Sequence, residues 1–143
     1  MGSSDRTRLD IEARVDNLDE VTDFVSDVIS SLKYSENELA QIRIITEELF
    51  VNIASYAYSG PGGMASVTAS VDEKENSVEL TFVDSGIKYN PIFAKEPDIT
   101  LPLRQRKKGG LGIFFVKKKV DELSYCYRNG NNILTLRKIF RGA

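Results

Sequence analysis

Ile42-Arg43-Ile44-Ile45-Thr46-Glu47-Glu48-Leu49-Phe50-Val51-Asn52 is the stretch from which the rest of the chain can be read. Its apolar residues recur at helical spacing, and nothing in it breaks a helix. Glu48 and Asn52 are four apart, so they share a face with Ile45, Leu49 and, one turn on, Tyr56. Two polar groups beside an apolar stripe need a reason. Burying either without a partner costs roughly 1–3 kcal/mol, and an ionised Glu costs more. The pair therefore lies either at the mouth of a site or on a solvated face. Glu47, about 100° round the helix, is expected to face solvent.

Before this stretch, Ser35-Glu36-Asn37-Glu38 spells a capping box that starts the helix. Leu39, Ile42, Ile45 and Leu49 give one stripe, and Ile44, Phe50 and Val51 widen it toward burial on several sides. The helix is expected to reach about Tyr58, where Ser59-Gly60-Pro61-Gly62-Gly63 ends it. Upstream, Arg8 to Val15 alternates apolar and polar as a half-buried strand, and Leu18 to Leu32 carries a second helical period running to about Lys33.

Downstream, Ala65 to Val71 and Ser77 to Val83 read as strands joined by a polar hairpin. Residues 88–108 have no period and contain Pro91, Pro97 and Pro102. Loops of that length in a compact domain are usually functional, often as lids, or else disordered. Ile113, Val116 and Val120 mark a short helix with Lys117, Lys118 and Lys119 outward. Leu123 to Arg128 and Ile133 to Ile139 read as strands joined by Asn129-Gly130-Asn131. The order predicts an α+β fold in which helices cover one face of a mixed or antiparallel sheet.

The chain has 143 residues, which reads as one domain over 1–143. Its net charge of −2 argues against nucleic acid as the main partner. It has no histidine, which removes His-ligated zinc and Ser-His-Asp or Cys-His catalysis within the chain. A lone cysteine, Cys126, forms no internal disulfide and is expected to be buried in a strand between Tyr125 and Tyr127. No apolar run approaches the roughly 20 residues of a membrane span, and Met1 to Arg6 lacks a signal peptide's apolar core. These features together read as cytoplasmic.

Three short patterns carry chemistry. Glu48-x-x-x-Asn52 offers a carboxylate that can act as general base and a carboxamide oxygen that suits magnesium. Asp84-Ser85-Gly86 directly follows a strand. An Asp there can accept from an exocyclic amine, and a glycine lets a ligand ring approach the backbone; a plain turn is the alternative. Lys108-Gly109-Gly110-Leu111-Gly112 opens a helix, where free N–H groups bind phosphate oxygens. It fits neither a Rossmann nor a Walker loop.

Taken in this order, the three patterns resemble the GHKL (Bergerat-fold) ATP-binding superfamily, and within it the bacterial anti-sigma-factor serine/threonine kinases. Thr46 to Asn52 is similar to the N box. Val83 to Ile87 with Asn90-Pro91 is similar to the G1 box, and Gly109 to Lys117 with Val120-Asp121-Glu122 to the G2 box. The resemblance runs from Leu9 to Lys138. It implies a two-layer Bergerat fold with a short lid at about 88–108, and ATP with Mg²⁺ as cofactors. Residue by residue it implies Asn52 as magnesium ligand, Glu48 as the base activating a hydroxyl, and Asp84 and Gly86 at adenine. Gly110, Leu111 and Gly112 would lie at the phosphates, with Lys108 reaching the terminal phosphate and Arg106 and Lys107 as alternatives.

Two positions depart from the pattern. Tyr56 stands where relatives often have His. Asn131-Asn132 stands where many have Gly-Thr beside adenine, which leaves Thr135 as the next hydroxyl to line that pocket. The activity implied is phosphorylation of an anti-anti-sigma (STAS-type) partner together with sequestration of a sigma factor. No direct contact with nucleic acid or membrane is implied, and a homodimer is compatible with the apolar first strand and helix. A non-catalytic nucleotide-sensing module of the same fold is the alternative. A histidine-kinase catalytic domain could act only on a separate partner.

Overall fold

The structure, a computed structural model, describes residues 6–59, 62–93 and 110–142. Period-two alternation becomes five strands: β1 (Thr7–Glu12), β2 (Met64–Asp72), β3 (Ser77–Asp84), β4 (Glu122–Arg128) and β5 (Asn131–Ile139). They form one sheet in the order β1-β2-β3-β5-β4, with every neighbouring pair antiparallel. Helical periods become α1 (Leu18–Val28), α2 (Glu36–Tyr56) and α3 (Gly110–Lys119). The fold is α+β in two layers, as the sequence predicts.

Side chains alternate across a strand, so register decides what meets the helices. Val67 and Ala69 of β2, Val78, Leu80 and Phe82 of β3, and Leu134 and Leu136 of β5 are buried on the helical side. They meet Val21 and Val25 of α1 and Ile42, Ile45, Leu49, Phe50 and Ile53 of α2. Asp84 and Asn132 end the same inward rows and are directly paired across β3 and β5. The hydrophobic register thus carries two polar residues to the edge of the core.

Helix ends follow local chemistry. Ser35 Oγ accepts from Glu38 N at 3.1 Å and Glu38 Oε1 accepts from Ser35 N at 3.0 Å, so the expected capping box is formed. α1 stops at Val28 and continues as a 3₁₀ turn over Ile29–Ser31, short of Lys33. The cause lies in the β2–β3 hairpin: Asn76 bonds both the N–H and the C=O of Lys33, at 2.8 and 2.7 Å. Those groups are then lost to the helix.

Three burial expectations are corrected. Ile44 is 42% exposed, so α2 is covered on fewer sides than its composition suggested. Glu47 is half-buried rather than solvated. Cys126 does lie in a strand, but β4 is an edge strand and Cys126 is on its outward row, so the thiol is exposed. Between β4 and β5, Asn129 and Gly130 both have positive φ, 54° and 80°, as a two-residue hairpin turn requires.

Candidate functional site

The C-terminal half of α2 lies above the ends of β3 and β5, and the gap between them is a cleft of about 500 Å³ counted to its open mouth. Leu49, Ile53, Phe82 and Leu134 form its apolar walls, and Asn52, Asp84 and Asn132 are among its polar groups. Tyr56, 46% exposed, stands at the rim with Ile87 and Tyr89. A flat apolar ring with a polar edge is the kind of ligand such walls accept.

Asp84 is 8% exposed and well supported. Its Oδ1 accepts from Gly86 N and from Asn132 Nδ2, both at 2.9 Å. Asn132 is 7% exposed and uses its whole carboxamide. Nδ2 also donates to Ile87 O at 2.8 Å, while Oδ1 accepts from Tyr89 N at 3.0 Å and from the Tyr125 hydroxyl. Burial pushes the Tyr125 phenol up, with the nearby Asp84 charge adding to this, so the hydroxyl stays a donor. Beside them, Ser85 Oγ donates to Asn131 Oδ1 at 2.7 Å, and Tyr58 OH accepts from Ser85 N at 2.8 Å.

Gly86 has a reason beyond ligand approach. A Cβ there would lie 2.0 Å from the Ala57 carbonyl oxygen. The turn packs onto the end of α2, and Ile87 N donates to Ala57 O at 2.8 Å. Gly112 has a similar one: a Cβ would lie 1.8 Å from Glu48 Oε2. The first turn of α3 therefore rests against the Glu48 carboxylate. Burial, with Glu47 beside it, holds the Glu48 carboxyl above the usual range.

The structure thus brings Asn52 and Asp84 to one cleft, packs Gly86 against Ala57 at the end of α2 rather than in the cleft lining, and places Glu48, one turn before Asn52, against Gly112. Gly110 and Leu111 occupy the first turn of α3. Lys108, with Arg106, Lys107 and most of the expected lid, lies outside the described residues. Thr135 is not brought to the cleft. It belongs to the outward row of β5, and its hydroxyl is 3.3 Å from that of Thr81 on the opposite face of the sheet. Tyr125 is a residue the sequence reading passed over, and Asn132 entered it only as a departure from the family pattern, not as a cleft residue. Their signal was the register: an inward polar residue between Leu134 and the turn must pair with something buried.

The donor set fits a phosphate-bound magnesium. Asn52 offers one hard oxygen donor at the cleft. Among the described residues no three acidic, histidine or cysteine side chains cluster as a metal cage. Magnesium held mainly by ligand phosphates needs only one or two protein oxygens.

Comparison with known proteins identifies the family. A family model for the histidine kinase-like ATPase domain matches residues 11–138. The chain belongs to that family. It is 30% identical over 95 residues to the serine/threonine-protein kinase BtrW of Bordetella bronchiseptica, covering 66% of each chain. It is 21% identical over 118 residues to the serine-protein kinase RsbW of Bacillus mycoides, covering 80% of this chain and 72% of that one. To RsbW of Halalkalibacterium halodurans it is 26% identical over 103 residues, covering 69% of this chain and 62% of that one. It therefore spans roughly two-thirds of these relatives.

Among solved structures, the RsbU and RsbW domains of a Mycobacterium tuberculosis protein align with a TM-score of 0.58 at 14% identity, over 96% of this chain and 34% of that one. A blue-light activated histidine kinase domain from Erythrobacter litoralis aligns at 0.54 and 13%, over 98% and 65%. At those identities the likeness is one of fold. No described helix is long and apolar enough to cross a membrane.

Proposed function

We infer that the chain is an ATP-dependent serine/threonine protein kinase of the anti-sigma-factor type. It would phosphorylate an anti-anti-sigma (STAS-type) partner and sequester a sigma factor. One observation carries this reading: Asn52 and Asp84 line the same cleft, while Glu48 rests against the helix start at Gly112. The kinase names of BtrW and RsbW support the choice within the family.

In this reading the adenine ring lies between Leu49, Ile53, Phe82 and Leu134, with its amine toward Asp84. Asn52 would hold magnesium, which when bound neutralises phosphate charge. Gly110 and Gly112 would present backbone N–H groups to the phosphates, and Lys108 would supply positive charge at the terminal phosphate. Glu48 accepts the proton of the incoming hydroxyl, a task suited to a carboxyl held above its ordinary range.

The test is thermal. ATP with Mg²⁺ raises the melting temperature of the wild-type chain, and Asn52→Ala abolishes the rise. Absence of any ATP-linked rise in the wild type rejects the reading. A rise without phosphate transfer to a cognate partner leaves a nucleotide-sensing module instead.

A further inference from the structure

Asn132 stands at a crossing of bonds that the nucleotide reading does not by itself require. Its amide orientation is settled by two groups that cannot change role. Tyr89 N can only donate, so the atom 3.0 Å away is oxygen. Ile87 O can only accept, so the atom 2.8 Å away is nitrogen. With that orientation set, the second N–H of Nδ2 points to Asp84 Oδ1 at 2.9 Å. Gly86 N takes the same oxygen from the other side. Among the described residues, Oδ1 accepts both bonds and Oδ2 has none.

We propose that Asn132 is the positioning residue of the base site. It holds the Asp84 carboxyl so that Oδ2 faces a ligand N–H donor, and so makes the cleft select purine nucleotides bearing an exocyclic amine. It also ties Asp84 and the backbone of Ile87 and Tyr89 into one unit, so that the rim of the cleft keeps its place when the base is absent. Tyr125 completes the amide by donating to Oδ1. This rests on the nucleotide reading for its ligand and deepens it by naming what sets base choice.

Two measurements separate the inferences. Hydrogen exchange at the Tyr89 amide reads the clamp with no nucleotide present. Asn132→Leu, similar in size but without the amide, speeds exchange at Tyr89 and leaves Leu80 in the core of β3 unchanged. Binding of ATP against ITP, which has a carbonyl where ATP has the amine, reads base choice. The wild type prefers ATP by about tenfold to a hundredfold, the value of a hydrogen bond to a carboxylate. Asn132→Leu brings the ratio close to one. Asn132→Thr, whose hydroxyl can donate to one partner, keeps an intermediate ratio, and Tyr125→Phe gives a second, milder variant should Asn132→Leu fold poorly.

A folded Asn132→Leu that keeps both the wild-type ATP/ITP ratio and wild-type Tyr89 exchange overturns the proposal. Wild-type protein that binds neither triphosphate removes the nucleotide reading and the base-choice half with it. In that case Tyr89 exchange still decides the clamp.

Discussion

Gly86 and Gly112 look alike as glycines in short motifs, but their surroundings assign them different tasks. A methyl at Gly86 meets backbone: the Ala57 carbonyl oxygen at 2.0 Å and carbon at 2.5 Å. Neither can yield without moving the end of α2. A methyl at Gly112 meets the far end of a flexible side chain, Glu48 Oε2 at 1.8 Å, and that carboxylate can swing aside. Gly86→Ala therefore destabilises by about 1–3 kcal/mol, as overpacking does, and chemical denaturation should register it as a lower midpoint. Gly112→Ala leaves the midpoint nearly unchanged but displaces the proposed base, Glu48. Phosphate transfer then falls by roughly 10²–10⁴-fold, as loss of a positioned base implies. A Gly112→Ala enzyme of normal rate would mean that Glu48 does not act from where it rests. Both glycines were legible in the sequence as motif members. Which atom each made room for was not, because that depends on how α2 meets β3 and α3.

At the scale of elements, the sequence was most legible where local chemistry acts alone. Strand parity, the two-residue turn at Asn129-Gly130 and the Ser35 capping box all follow from neighbours within a few residues. Misreadings arose where a distant partner intervened. Asn76 captured Lys33 and shortened α1, and the β3–β5 register sent Thr135 outward and Asn132 inward. The start of α2 also has such a partner. Glu38 accepts not only from Ser35 N but from Arg141 N at 2.7 Å and Gly142 N at 3.1 Å. Burial alone would raise its pKa, but these backbone donors hold the carboxyl below its ordinary value. Its contribution is present above the unfolded pKa and is lost as pH falls through the folded one. Ser35→Ala costs about 1 kcal/mol. Glu38→Ala costs more, since three N–H groups lose their acceptor. Thermal scans should show on the order of 3 °C per kcal/mol at this chain length. The two variants converge at low pH, where Glu38 is protonated, and neither alters the ATP-linked rise, because the cap is at the far end of α2 from Asn52.

For the whole molecule, the site is placed where the fold gives up some stability. The helices cover one face of the sheet. The cleft opens where α2 runs out over the ends of β3 and β5, and there Glu48 is held partly out of water beside Glu47. Both influences raise its pKa. The sign follows from linkage. A carboxyl whose folded pKa is raised stabilises fully below its unfolded pKa, and that contribution is lost as pH climbs through the folded value. Above its folded pKa the ionised Glu48 is thus a cost to the fold, one that the proposed base role would explain. Glu48→Gln removes the charge and keeps the shape. The variant should melt no lower than the wild type at about pH 7. Relative to the wild type it should lose that advantage as pH falls through the raised folded pKa, and be without it toward about pH 4, below the ordinary glutamate value. Its ATP-linked rise persists, because Asn52 and Asp84 are untouched, while transfer to a partner hydroxyl collapses. A structural role for Glu48 predicts the opposite pattern, with a lower melting point at neutral pH and transfer reduced only in proportion to folded protein. Melting curves at the two pH values, set beside a single-turnover transfer assay, distinguish the two.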